Sequence, residues 1–360
     1  MHADLTRRSL IGAGVAAGAA AALPAVAQRA TAQVRAASDR PVGFAIVGIG
    51  KLSSGQIIPA LRKTRHAHLT ALVSGHPDKA QATARAEGVA ADAIYSYETF
   101  DRIAADPRID VVYIVLPNSM HAEYTIRALK AGKHVLCEKP MASTVKDAEA
   151  MIAAAKAADR RLMIAYRCQY EPLNLAAMRR VRSGVMGKPR LVVTDMGRQA
   201  TLDEPSDAWR LDMAMSGGGA LADMGIYGIN ASRYLLNEEP VSVRAWASTD
   251  RSDPRFRTVE DLIAWQFRFP SGAIANGSTS FNYDATMAYQ LWGEKGRLVA
   301  DPGAFYNGNH LTFGAPGGKA EPIVEVDQFG REMDWMADVV RGRAPPVSPR
   351  EEGRQDMKQI

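Results

Sequence analysis

Three side chains that could move a proton stand in two short segments of the sequence. Lys139 lies in the segment CEKP, directly after an apolar run, and Asp223 and Tyr227 follow three consecutive glycines. Asp223 and Tyr227 are four residues apart, so they share one face of a helix. A tyrosine hydroxyl can give or take a proton, and a neighbouring lysine cation favours the phenolate. The alternatives are a surface lysine in a turn and a buried tyrosine whose hydroxyl is satisfied by Asp223.

A glycine-rich turn near residue 48 is typical of a phosphate-binding site. The segment GIGKLS, residues 48–53, fits the pattern G-x-G-x-x-small and stands between an apolar strand and a helical pattern. In that context the glycines let the backbone approach a pyrophosphate, and the helix N-terminus stabilises its charge. The turn therefore predicts a dinucleotide site in preference to a tight turn without a ligand.

The residues after the second strand indicate which dinucleotide is bound. Sites that prefer NAD place Asp or Glu at the tip of this strand to bind the ribose 2′-hydroxyl. Here the strand ends in the segment VSGHPDK, with Ser74 at the tip and Lys79 close behind. A small hydroxyl and a lysine suit a 2′-phosphate, which favours NADP. The alternative is that Ser74 only caps the next helix and Lys79 faces water.

Short apolar strands alternate with helical patterns in the first half of the chain. This alternation predicts a Rossmann doubly wound parallel sheet with right-handed crossovers. The expected strands are residues 44–47, 68–73, 111–116, 134–137 and 162–166, and the expected helices include residues 80–87, 122–129 and 148–158.

The pattern changes after about residue 166, where strands follow one another with few helices between them. Strands are expected at 190–194, 241–247, 262–269, 273–280, 288–293 and 297–300, beside one long helix at 221–236. Turn residues at 270–272 and 294–296 connect neighbouring strands as hairpins. We therefore expect a C-terminal α+β domain with a largely antiparallel, open sheet, whose exposed face suits a pocket wall or subunit packing.

The first 27 residues have the features of an export signal. The segment TRRSLI contains two adjacent arginines, a weakly apolar stretch follows to residue 26, and AVA at 25–27 supplies a small-x-small cleavage site. The apolar run is too short and too rich in alanine for a stable membrane anchor. We expect a twin-arginine signal at 1–27 that sends the folded protein to the periplasm, a linker at 28–40, a nucleotide domain at 41–165 and a second domain at 166–360.

Composition excludes several other classes of protein. The net charge is only +5, and the basic cluster near residue 180 has no interleaved aromatic residues, so no nucleic-acid partner is expected. Two cysteines are too few for a disulfide framework, and no Cys/His spacing typical of zinc is present, so no metal site is expected.

Taken together, these segments resemble the family of glucose–fructose oxidoreductase and inositol dehydrogenase. The resemblance extends over nearly the whole chain, and its most specific stretches are FAIVGIGK, ALVSGHPDKA, VLPNSMHAEY, HVLCEKPMA, MIAYRCQYEP and WRLDMAMSGGGALADMGIYGINASRYLL. Within the family, the sequence looks most like the exported aldose–aldose oxidoreductases.

The resemblance implies roles for individual residues. Lys139, before a cis proline, would bridge nicotinamide and sugar, Tyr227 would be the general acid/base, and Asp223 would bind a sugar hydroxyl. The glycine run before Asp223 would let the chain approach the cofactor closely. Asn118 and His121 would lie along the nicotinamide ribose. The implied nucleotide contacts are Gly48, Gly50, Lys51, Leu52, Ser74, Lys79, Tyr97, Leu116, Asn118, His121, Glu138, Lys139, Arg167, Trp209 and Arg210.

The resemblance also implies a reaction in which one bound NADP is reduced by an aldose and reoxidised by a second sugar. The alternatives are an ordinary NADP-dependent sugar or dihydrodiol dehydrogenase that exchanges its cofactor, and a sugar sensor that uses the same fold. Glucose–fructose oxidoreductase carries a long proline-rich arm over the cofactor of a neighbouring subunit, and no matching arm precedes residue 41 here. A homodimer or homotetramer is expected, and the sequence does not identify how the nucleotide is retained.

Overall fold

A computed structural model describes residues 40–314 and 319–360, and residues from Pro41 onward form one compact unit. The expected signal segment and nearly all of the linker lie outside the described residues. Within them, no helix is long and apolar enough to cross a membrane.

The first sheet is parallel throughout and has the strand order β3-β2-β1-β4-β5-β6. Its strands are β1 (Val42–Val47), β2 (Ala67–Val73), β3 (Ile94–Tyr95), β4 (Val111–Ile114), β5 (His134–Glu138) and β6 (Leu162–Ala165). This confirms the doubly wound sheet, and the short β3 is an addition to the prediction. The strand order reverses between β1 and β4, so their carboxyl ends face the crevice in which such sheets bind ligands.

Helices cover both faces of this sheet and begin and end at residues suited to those positions. They are α1 (Ile58–Leu61), which continues a π-helical turn at Ser53–Ile57, α2 (Pro77–Glu87), α3 (His121–Lys130) and α4 (Val145–Ala157). Proline opens α2 at its first position, where its missing N–H costs nothing, and Gly88 ends it with φ +70°. Thr144 caps α4 by accepting a hydrogen bond from the Asp147 N–H at 3.1 Å.

The second sheet has eight strands in the order β14-β13-β12-β11-β7-β10-β9-β8, antiparallel except for the β7–β10 pair. The strands are β7 (Pro189–Gly197), β8 (Ser242–Ser248), β9 (Leu262–Arg268), β10 (Ile274–Ser280), β11 (Thr286–Gly293), β12 (Arg297–Ala300), β13 (Leu311–Phe313) and β14 (Lys319–Ala320). The expected open, largely antiparallel sheet is confirmed. Its last two strands were not predicted from the sequence.

The remaining helices follow the first sheet in the chain, and only the first of them connects one sheet to the other. They are α5 (Pro172–Arg182), α6 (Met213–Ser216), α7 (Ile226–Leu236), α8 (Gln328–Val340) and α9 (Arg350–Met357). The long helix expected at 221–236 is a π-helical turn, Leu221–Gly225, that runs into α7.

The C-terminal part of the chain returns to the first sheet. Phe329, Met333 and Met336 of α8 are buried in the same apolar core as strands β1 to β6, and Met357 of α9 joins them. A separate core lies between the second sheet and α5 and α7. The predicted division at residue 166 therefore omits α8 and α9 from the half of the molecule in which they pack.

Candidate active site

Asp223 lies at the centre of a group of cations. Its carboxylate oxygens are 3.0 Å from Arg210 Nε, 3.3 Å from Lys139 Nζ and 3.5 Å from Arg198 Nη2. Lys139 Nζ also donates to the Asp223 backbone carbonyl at 2.6 Å. Burial would raise the pKa of Asp223, but the three cations outweigh it and hold that pKa well below its usual range. Asp223 is therefore a fixed negative charge in the site.

The ring of Tyr227 is flanked by two cations. Lys139 Nζ lies 4.7 Å from the ring centroid, and the guanidinium carbon of Arg167 lies 4.9 Å from it. Burial raises the pKa of the Tyr227 hydroxyl, and the opposing effect of Arg167 is smaller. The net pKa of Tyr227 therefore lies above its usual value, opposite to the lowered pKa that the sequence suggested, because desolvation exceeds the effect of Arg167. Tyr227 is a phenol at neutral pH.

Arg167 is buried and held mainly by the C-terminal half of the chain. Its Nη1 donates to Gln328 Oε1 at 2.6 Å, and its Nη2 donates to the Ala304 carbonyl at 2.8 Å. Its guanidinium also stacks on the Tyr306 ring at 4.6 Å. These contacts fix the cation against Tyr227, a role that its implied place among the nucleotide contacts did not specify.

Lys139 is oriented by the end of β5. The Lys139–Pro140 peptide bond is cis, as predicted. Glu138 is buried, and it accepts hydrogen bonds from the Tyr113 hydroxyl at 2.9 Å and from the Lys139 N–H at 3.2 Å. Both oxygens of the Glu138 carboxylate are thus used inside the protein, which leaves the lysine ammonium as the charged group that faces Asp223.

His121 contacts the same turn and a second loop through the two nitrogens of its ring. Its ring is fully buried, with Nδ1 2.8 Å from the Pro140 carbonyl oxygen and Nε2 2.9 Å from the Leu116 carbonyl oxygen. Burial lowers the pKa of the ring. Both ring nitrogens thus face carbonyl groups of the protein, and His121 positions the loops that carry Leu116 and Pro140. Its place along the nicotinamide ribose stays a prediction.

Asn118 and the glycine run dock the second half of the chain on the first. Asn118 is buried, and its Nδ2 donates to the Ser216 carbonyl at 2.7 Å. A Cβ on Gly219 would lie 2.4 Å from the Glu260 carbonyl oxygen, and the Gly219 N–H donates to the Glu260 carboxylate at 2.8 Å. The close approach that this glycine permits is therefore to Glu260, whereas the sequence suggested an approach to the cofactor.

The glycine turn after β1 fits a pyrophosphate. Gly48 has φ +92°, and a Cβ there would lie 2.2 Å from the Val115 carbonyl oxygen, so only glycine is accommodated. A Cβ on Gly50 would meet no atom within 4 Å, which leaves open space above the turn. Lys51 and Leu52 begin the helical segment that follows, whose first N–H groups suit an anion.

The residues expected around the adenosine end of the nucleotide lie next to this turn. Ser74 is buried at the end of β2, and its Oγ accepts from the His76 N–H at 3.0 Å, which leaves its own proton to donate. Lys79 is exposed in the first turn of α2. The Tyr97 ring stands edge-on to Tyr124, with centroids 5.3 Å apart. This arrangement leaves Ser74 and Lys79 able to contact a 2′-phosphate.

Trp209 and Arg210 lie in one loop, and Arg210 contacts the Asp223 carboxylate. The Arg210 guanidinium stacks on the Trp209 ring at 4.3 Å and donates to Asp223 Oδ2 at 3.0 Å.

The described residues contain no group of acidic, cysteine and histidine side chains arranged to hold a metal ion.

Sequence reasoning missed three charged residues at or near the site. Arg198 pairs with Asp223, and Glu204 pairs with Lys51. Glu332 is fully buried, and its burial and the nearby charge of Glu138 raise its pKa. Each stands in a loop or on a helix turn with no recognisable motif, so only the folded structure brings them to the site.

The sequence matches two described families along most of its length. Residues 42–166 match the oxidoreductase family with an NAD-binding Rossmann fold, and residues 174–299 match the GFO/IDH/MocA C-terminal domain. The chain is 34% identical over 333 residues to D-xylose 1-dehydrogenase [NADP(+)] of Haloarcula marismortui, which covers 91% of each chain. It is 28% identical to inositol 2-dehydrogenase of Rhizobium meliloti over 72% of this chain and 76% of that one.

A solved structure is similar to the chain over most of its length. The crystal structure of aldose-aldose oxidoreductase from Caulobacter crescentus, complexed with glycerol, superposes with a TM-score of 0.85 at 43% identity, and covers 89% of this chain and 96% of that one. Together with the parallel sheet, the glycine turn and the Lys139–Asp223–Tyr227 cluster, these matches establish that the chain belongs to the GFO/IDH/MocA family of oxidoreductases.

Proposed function

We propose that the protein is a periplasmic sugar oxidoreductase with tightly bound NADP(H), which oxidises one aldose at C1 to an aldonolactone and reduces a second sugar to an alditol. The observation that carries the proposal is the cluster of Lys139, Asp223 and Tyr227 at the carboxyl edge of the first sheet. The 43% identity to an aldose-aldose oxidoreductase supports this substrate class.

The preference for NADP is supported by the region after β2. Ser74 has a hydroxyl proton to donate, and Lys79 offers a cation within the same turn. The relative named D-xylose 1-dehydrogenase [NADP(+)] uses the same cofactor. When bound, NADP would accept a hydride from the sugar in one half-reaction and return it in the other.

The side chains of the cluster divide the proton chemistry. Tyr227 is protonated at rest, which is the form that donates to the carbonyl oxygen of the sugar being reduced. That donation leaves the Tyr227 phenolate, and in the oxidising half-reaction this phenolate takes the proton of the C1 hydroxyl as hydride leaves that carbon, which restores the phenol. Lys139 and Arg167 lie against the ring and stabilise the charged form. Asp223 keeps Lys139 in place and offers its charged oxygens to sugar hydroxyls.

An ordinary NADP-dependent sugar dehydrogenase with exchangeable cofactor is the second candidate. It is favoured by the 34% identity to the xylose dehydrogenase over nine-tenths of both chains. The two proposals share the site and differ in whether the nucleotide leaves between half-reactions.

One experiment separates them. The purified, extensively dialysed protein is examined for bound nucleotide by native mass spectrometry and absorbance, and is then incubated with mixed aldoses without added cofactor. The proposed function requires bound NADP(H) and equal amounts of aldonate and alditol. A dialysed protein that carries no nucleotide and turns over only with added NADP⁺ would establish the second candidate.

The periplasmic location is a separate part of the proposal, supported by the twin-arginine pattern at Arg7 and Arg8. Changing both residues to lysine should move the protein from the periplasmic to the cytoplasmic fraction of its host. Unchanged fractionation would contradict export by this route.

A further inference from the structure

An ion pair joins the glycine turn to a loop of the second half of the chain. Lys51 Nζ lies 2.6 Å from Glu204 Oε2, across 153 positions of sequence. Lys51 directly follows Gly50, above which the structure has open space. A pyrophosphate seated on the turn therefore lies next to this pair.

The loop at residues 201–212, called the strap below, is held in a defined shape. Asp207 is buried in it and accepts hydrogen bonds from Arg198 Nη2 at 2.6 Å and from the Thr201 N–H at 3.1 Å. The Arg210 side chain donates to the Ser206 carbonyl at 2.6 Å. These bonds give the strap its own internal support, so that it does not depend on Lys51 for its conformation.

Glu204 is oriented by the strap before it reaches Lys51. Its Oε1 accepts from the Ser206 N–H at 3.1 Å, which directs Oε2 toward the lysine. Lys51 is the main cause that lowers the pKa of Glu204, to about 2, so the carboxylate is charged over the physiological range.

At its other end the strap reaches the reacting groups. Arg210 Nε donates to Asp223 Oδ2, and Asp223 Oδ1 pairs with Lys139. The strap thus extends from the pyrophosphate turn to the sugar site, along the length that a dinucleotide would occupy between them.

We propose that the strap closes over the bound dinucleotide and that the Lys51–Glu204 pair slows its release. The inference rests on the proposed function, because it identifies a means of retaining NADP(H) among the described residues. Both side chains are exposed in part, 70% for Lys51 and 37% for Glu204, so the pair contributes as a surface ion pair. Such pairs change an equilibrium by at most about fivefold, and salt screens them.

The test measures release of NADPH from the full-length protein by its fluorescence after a chase with excess NADP⁺. Glu204→Gln keeps the acceptor for the Ser206 N–H and removes only the charge that faces Lys51. We expect release to become about three- to fivefold faster, and the acceleration by salt seen with the wild type to be lost. The matched control is Glu321→Gln, which breaks a 2.7 Å surface pair with Arg180 far along the sequence and should leave the release rate unchanged.

The outcomes separate this inference from the proposed function. Equal release rates for Glu204→Gln and wild type, at low and at high salt, would overturn the proposed role of the strap and leave the proposed function unaffected. Release that is faster in Glu204→Gln, from a wild type that itself exchanges nucleotide within a turnover, would support the role of the strap. It would overturn the proposal that NADP(H) stays bound between half-reactions. A wild type that binds no NADPH would overturn both.

Discussion

Replacing Asp223 by asparagine should destabilise the fold as well as the site. The change removes one negative charge and leaves Lys139, Arg198 and Arg210 facing a neutral amide. The three cations lie 3.3, 3.5 and 3.0 Å from the carboxylate oxygens. At an effective dielectric constant of about 20, each such pair represents about 5 kcal/mol of attraction.

Most of that attraction is offset by the cost of removing the charges from water. Breaking a buried ion pair from one side costs about 3–5 kcal/mol of unfolding free energy in practice. The two arginines retain 26% and 22% exposure, so water can solvate them after the change. We therefore expect the lower end, about 3 kcal/mol, which corresponds to a melting temperature lower by about 4–5 °C in a protein of this size.

The assay is thermal and urea denaturation of Asp223→Asn beside Asp212→Asn. Asp212 caps α6 by accepting from the Ala214 N–H at 3.0 Å, and asparagine caps equally well, so this control should stay within about 0.5 kcal/mol of wild type. Since the folded-state pKa of Asp223 is lowered, its charge stabilises the fold above the unfolded-state pKa of about 3.9 and loses this effect as the pH falls further. The difference between variant and wild type should therefore shrink in acid. A loss below about 1 kcal/mol at neutral pH would refute this reasoning.

Three further predictions concern single groups. Tyr227→Phe keeps a ring between the two cations and should lower the rate of aldose oxidation by about 10²- to 10⁴-fold with nucleotide binding retained, measured by rapid-mixing NADPH fluorescence; a loss below tenfold would contradict the acid/base role. Burial and the charge of Glu138 raise the pKa of Glu332 well above its usual range. Wild-type stability should then fall as the pH rises above the unfolded-state value of about 4.3, so Glu332→Gln should raise the melting temperature more at alkaline than at mildly acidic pH; the opposite trend would exclude a protonated Glu332. Lys79→Ala should weaken NADPH binding about tenfold and spare NADH in equilibrium titrations, whereas equal weakening of both would remove Lys79 from the 2′-phosphate site.

Regular patterns are the part of this molecule that a sequence predicts well. The apolar runs at 44–47 and 111–114 are buried on both faces, as strands of a parallel sheet must be, and the glycine turn falls where the motif indicates. The two-residue strand β3 and the edge strands β13 and β14 are too short to produce a period, so they were not predicted.

The sequence predicted which residues form the site, but it did not predict their pKa shifts. Lys139, Asp223 and Tyr227 do lie together. Lys139 directly follows β5, and Asp223 and Tyr227 are four residues apart in one helical segment, so the sequence determines the position of each. The direction of the Tyr227 pKa shift depends on how much water the fold excludes, which no local pattern records. His121 shows the same limit, since its ring is enclosed by two carbonyl groups that come from separate loops.

The return of α8 to the first sheet has a consequence for how the protein is made. Phe329, Met333 and Met336 complete the core around β1 to β6, yet they are synthesised more than 160 residues after β6. The nucleotide-binding half therefore cannot close its core until almost the whole chain has left the ribosome. A fragment cut after β6 would expose that core, and a chimera with a relative must carry α8 along with the N-terminal half.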